Sequence, residues 1–89
     1  MATFSDLDGV IKRANSTPYG LAAYAFTGSH ATAEHLSKGL HAGMVGINNF
    51  MVAHAEAPFG GFDHSGMGRE GGTQAINDYL NTKMTHFSW

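Results

Sequence analysis

The chain has 89 residues, no cysteine, and five Lys and Arg against seven Asp and Glu, for a formal net charge of −2. That length holds one domain or part of one and buries only about 60–65% of its unfolded surface, so the core needs a supplement. The composition excludes disulfides, thiolate nucleophiles and zinc–cysteine sites. The basic residues at 12, 13, 38, 69 and 83 are too scattered to serve nucleic acid or an anionic membrane.

In chain order, Ser5 followed by Asp8 reads as a capping-box variant that opens a short amphipathic helix over about residues 6–15. Leu7, Val10, Ile11 and Ala14 share its apolar face. NSTPYG, 15–20, stops it through Pro18 and Gly20. LAAYAFT, 21–27, is an apolar run bounded by Gly20 and Gly28, too short for a helix and read as a buried strand. Ser29 N-caps a second helix through Leu40, with Ala33, Leu36 and Leu40 on one face, His41 in the last turn and Gly43 closing it. MVGIN, 44–48, is a second strand, while NFMVAHAEA, 49–57, fits either an extended loop or a short strand. After the glycine-rich stretch, Thr73 caps a short helix in which Ile76, Tyr79 and Leu80 share a face. KMTHFSW, 83–89, alternates polar and apolar residues as a terminal strand.

Strands alternating with helices predict an α/β fold with parallel pairing. A buried parallel strand needs neighbours on both sides, and two central strands are not a complete sheet. The expectation is a partial parallel sheet with flanking helices, in need of a partner. No run of about 18 apolar residues occurs. The opening MATFSDLDG has neither a basic n-region nor an apolar h-region, so a soluble cytoplasmic chain is expected.

APFGGFDHSGMGREGG, 57–72, holds six of the twelve glycines. Gly66 to Gly71 reads G-x-G-x-x-G, but the preceding strand ends near Asn48 and only 18 residues follow Gly71. A structured loop using glycines for turns is expected rather than a dinucleotide cradle. The six histidines, at 30, 35, 41, 54, 64 and 86, form no i, i+4 pair, and His54 with Glu56 supplies two ligands only. No metal site is expected, although a histidine-rich metal binder stands as a third reading. Glu70 beside Arg69 reads as an ordinary surface ion pair; the alternative is a carboxylate projecting into a pocket.

RANSTPYGLAAYAFT, LHAGMVGIN, APFGGFDHSGMGREGG and YLNTK, in this order and spacing, resemble the C-terminal end of the NAD(P)-dependent aldehyde dehydrogenase superfamily. The resemblance runs from about Phe4 to Lys83, and EAPFGG with GREGG is more similar to the succinate-semialdehyde dehydrogenase-like branch. It implies that residues 1–82 are the last part of the α/β catalytic domain and 83–89 an oligomerisation strand joining a sheet with a neighbouring subunit.

The family oxidises aldehydes to acids with a cysteine nucleophile, a nicotinamide cofactor and a glutamate general base. This chain has no cysteine, and the other two parts belong to segments upstream of the stretch it resembles. The resemblance therefore implies a fragment with no catalytic residue and no NAD or NADP bound by itself, unable to turn over aldehyde alone. Residue by residue, it gives Phe59 to the substrate tunnel and Phe50, with the loop to Glu56, to the tunnel mouth. It makes Glu70 a proton relay and puts Asn81 where many relatives carry an acidic residue near the subunit interface. Asp63 and His64 stand where a pair such as Lys-Gln is commoner and receive no role. The expected partners are further copies, as a homodimer or larger, or a full-length dehydrogenase. The alternative is a stand-alone oligomerising module derived from the family.

Overall fold

Helix α1 spans Leu7–Ala14 in the computed structural model, which describes all 89 residues. Its N-cap is Asp6 rather than Ser5: from an extended backbone, the Asp6 carboxylate accepts the Gly9 amide at 2.8 Å. A carboxylate there satisfies an orphan amide and also complements the helix dipole, which a hydroxyl does not. Helix α2 spans His30–Gly39, and Ser29 caps it as the sequence predicts, its hydroxyl accepting the Thr32 amide.

The end of α2 differs from expectation. Leu40, in extended conformation, is its C-cap, so His41 lies outside the last turn and Gly43 does not close the helix. The physical reason is Asn15, just past α1. Its Nδ2 donates to the Gly39 carbonyl and its Oδ1 accepts the His41 amide, both at 2.8 Å. A side chain from the other helix thus satisfies groups that a left-handed glycine would otherwise serve. The helices meet where Gly39 faces the Ile11 side chain, and His35 Nε2 bonds Asp8 at 2.7 Å between them.

Four short strands follow from the pairing: β1 (Tyr19–Gly20), β2 (Ala22–Ala25), β3 (Met44–Ile47) and β4 (Phe62–Asp63). β2 and β3 pair in parallel, Ala22 opposite Met44 through Ala25 opposite Ile47, with α2 as the connection. Asn48, at φ 57°, then extends the ladder with its side chain, accepting the Thr27 amide and donating to the Thr27 carbonyl. A second, antiparallel pairing was not expected: Tyr19 lies opposite Asp63 and Gly20 opposite Phe62. The architecture is therefore α/β with two separate two-stranded sheets, one parallel and one antiparallel.

Residues Ala75–Tyr79 form a single 3-10 helix. Gln74 precedes it without a capping side-chain bond, so Thr73 is not its cap. Ile76, Tyr79 and Leu80 stay largely exposed, so the face they share is not part of the core. Residues 83–89 are exposed and pair with no strand of their own chain.

The hydrophobic core comes down to Ile11, Leu36 and Met44, and no large side chain is fully buried. Leu36 stands where α2 packs over the parallel sheet. Truncating it to Ala is expected to cost about 2–3 kcal/mol through lost burial and the cavity left behind. Urea unfolding followed by circular dichroism measures this; an unchanged midpoint would mean the core lies elsewhere.

Candidate functional site

The glycine stretch folds back on itself as a two-armed loop. Phe59 and Glu70 lie opposite each other and exchange both backbone hydrogen bonds, each 2.7 Å long. Further out, the Gly72 amide donates to the Ala55 carbonyl at 2.9 Å. Between the arms, β4 ends in a turn in which the Gly66 amide donates to the Asp63 carbonyl. Gly66 and Gly68 take φ values of 100° and 88°, which only glycine adopts without strain. Ser65 ties this turn to the strands, its hydroxyl accepting the Gly20 amide at 3.0 Å.

Two open depressions flank the Phe59–Glu70 pair. One, of about 390 Å³, is lined by Leu21, Phe59, Arg69, Glu70, Asp78 and Tyr79 among others. The other, of about 320 Å³, is lined by Ala53, His54, Ala55, Phe59, Glu70 and Gly71. The two residues singled out in the sequence, Phe59 and Glu70, are thus brought together by their backbone bridge, and both line both depressions. Phe50 is placed elsewhere. Its ring lies against Tyr24 and Phe26, at 5.4 and 5.0 Å between centroids, and it lines neither depression.

Arg69 does not form an ion pair with Glu70. Its Nη1 donates to the carbonyls of Gly61 at 3.0 Å and Gly68 at 2.6 Å, and its guanidinium lies over the Phe62 ring, 5.4 Å from the centroid. Its backbone amide donates to the Asp78 carboxylate at 2.7 Å. Glu70 is exposed where the two depressions meet. The sequence gives no signal for the part played by Asp78, nine residues on and in a different element. Asp63, without a role in the sequence reading, bonds His41 at 2.9 Å, and the His64 ring meets Tyr19 edge-on.

The G-x-G-x-x-G stretch lacks the strand–turn–helix setting of a dinucleotide fingerprint. Such a site needs free amides opening a helix. Here no helix opens within the stretch, and the amides of Gly66, Arg69 and Glu70 are bonded within the chain. The Asp78 carboxylate also packs beside Gly68, where a pyrophosphate would meet like charge. The histidines do not converge on a metal either; no three potential ligands come together.

The family model described as "Aldehyde dehydrogenase family" matches residues 1–85. The mitochondrial aldehyde dehydrogenase family 2 member B4 of Arabidopsis thaliana is 54% identical over 80 residues, 90% of this chain and 15% of that protein. The succinate semialdehyde dehydrogenase of Acinetobacter baylyi is 49% identical over 77 residues, 86% of this chain and 16% of that one. Among solved structures, an oxidoreductase from Marinobacter aquaeolei matches with a TM-score of 0.86 and 41% identity, covering 91% of this chain and 17% of its own. The chain therefore spans only 15–16% of the length of these curated relatives.

Proposed function

This chain belongs to the aldehyde dehydrogenase family, and we propose that it acts as the C-terminal part of an enzyme oxidising an aldehyde to a carboxylic acid. It supplies one wall of the substrate tunnel and a contact between subunits. The observation that carries this reading is the Phe59–Glu70 bridge, which brings an aromatic residue and an exposed acidic residue together on one rim. Phe59 offers the apolar face on which the substrate chain lies. Glu70 takes up and passes on a proton at its carboxylate. Ala53, His54 and Ala55 of the 50–56 loop, which line the depression beside Glu70, shape the tunnel mouth, while Phe50 packs against Tyr24 and Phe26.

The nucleophile, the general base and the NAD or NADP site belong to the remainder of the enzyme, so this chain alone is not competent. For the substrate we favour succinate semialdehyde, on the EAPFGG and GREGG segments and the likeness to the Acinetobacter relative. The second reading, a self-associating module, draws on residues 83–89, exposed and unpaired in their own chain; they would add a strand to a neighbouring subunit.

A graft tests the first reading. Replacing the matching segment of the Acinetobacter enzyme with this sequence is expected to give a folded, active dehydrogenase. Glu70→Gln in the graft then lowers kcat about tenfold or more, as loss of a proton-transfer group does, with little change in KM. The pure 89-residue chain reduces neither NAD nor NADP. A folded but inactive graft, or cofactor reduction by the chain alone, would overturn the proposal.

A further inference from the structure

We propose that Asp78 is the positioning residue of the Phe59–Glu70 wall, acting through Arg69. Arg69 and Glu70 form a two-residue island between left-handed glycines: Gly68 at φ 88° before it, Gly71 and Gly72 at 65° and 62° after it. Arg69 belongs to no helix or strand, and Glu70 is held only by its isolated bridge to Phe59. The anchor comes from outside the loop. Asp78, on the 3-10 helix, accepts the Arg69 amide at Oδ2 over 2.7 Å, and the same oxygen lies 2.7 Å from the Cβ position of Gly68.

A hydrogen bond to a carboxylate is about twice as strong as one between neutral groups. From that point the constraint spreads to both arms. The next residue, Glu70, exchanges two backbone bonds with Phe59, while the Arg69 guanidinium holds the carbonyl of Gly61, two residues past Phe59. One carboxylate thus sets the register of the whole rim. Only the catalytic meaning of that rim rests on the tunnel-wall reading; the latch itself does not.

Amide hydrogen exchange on the 89-residue chain tests it, with the β3 amides as internal reference. Asp78→Ala is expected to speed exchange of the Arg69, Glu70 and Phe59 amides about tenfold or more relative to β3. Asp78→Asn keeps an acceptor oxygen in place and holds those amides nearer to the parent rates. Three results would overturn the proposal: unchanged rim exchange in Asp78→Ala, equal acceleration in Ala and Asn variants, or acceleration of β3 by the same factor, which would make Asp78 a general stabiliser. An inactive graft with the expected exchange pattern removes the aldehyde reading and leaves the latch standing.

Discussion

Gly43→Ala is expected to detach the glycine loop from the rest of the chain. A Cβ at this position would fall on the Gly60 carbonyl oxygen and lie 2.8 and 2.9 Å from Gly60 C and Gly61 Cα. All three are backbone atoms, so no side chain can swing aside to make room. The crossing is crowded from the other side too. The Gly43 amide donates to the Gly20 carbonyl, and Gly20 and Gly61 are among only six buried residues. Three backbone segments meet there because none carries a side chain.

Overpacking a well-filled site costs about 1–3 kcal/mol, and an immovable backbone neighbour puts Gly43→Ala at the upper end. A chain of this length has a total stability on the order of 4–13 kcal/mol, and three core residues set it toward the lower limit. The melting temperature should fall by about 10 °C or more, or the cooperative transition disappear. Gly28→Ala is the control, since nothing lies within 4 Å of its Cβ position. If both variants melt like the parent, the three-segment crossing does not hold the loop.

Removing residues 83–89 is expected to change association and leave the fold alone. The accessible surface is 7208 Å², whereas a folded monomer of 9.5 kDa exposes about 5,000 Å². The radius of gyration is 17.6 Å, against about 12 Å for a compact domain of this length. Sixteen large apolar side chains are exposed, among them Met84, Phe87 and Trp89 in the terminal segment. Both sheets have only two strands, so each keeps open edges.

An excess of about 2,000 Å² on one chain exceeds the roughly 800 Å² per partner of a standard protein–protein interface. Our reading is that another polypeptide covers it. The terminal segment is exposed and pairs with no strand of its own chain, so the 1–82 form should keep β3 exchange protection. Its self-association should weaken at least tenfold, about 1.4 kcal/mol or more. Undiminished association would move the contact to another apolar face, such as the groove of about 440 Å³ lined by Leu7, Val10, Tyr24 and Phe26.

Both helices and both parallel strands were legible because each rests on local signals. Leu36 and Leu40 repeat at helical spacing after a Ser cap, one apolar run sits between Gly20 and Gly28, and a second follows Gly43. The first cap was misplaced by one residue because Ser5 and Asp6 both suit the position, and only the charge–dipole term separates them. Gly43 looked like a helix terminator because its true partner, Gly60, is 17 residues away. The β1–β4 ribbon carries no periodicity, being two residues long on each side. In the loop, PFGG and GRE marked Phe59 and Glu70, but the spacing could not show that they pair across one rim. Arg69 beside Glu70 suggested a local ion pair; the guanidinium instead satisfies two carbonyls and a ring that only the folded loop brings together.

The solution mass of the 89-residue chain, measured by light scattering on a sizing column alongside circular dichroism, tests the central claim most directly. The claim is that these walls need another polypeptide to cover them. It predicts a folded dimer or larger species whose mass falls on dilution. A folded monomer with a cooperative melt would contradict it, because 89 residues would then close their own core.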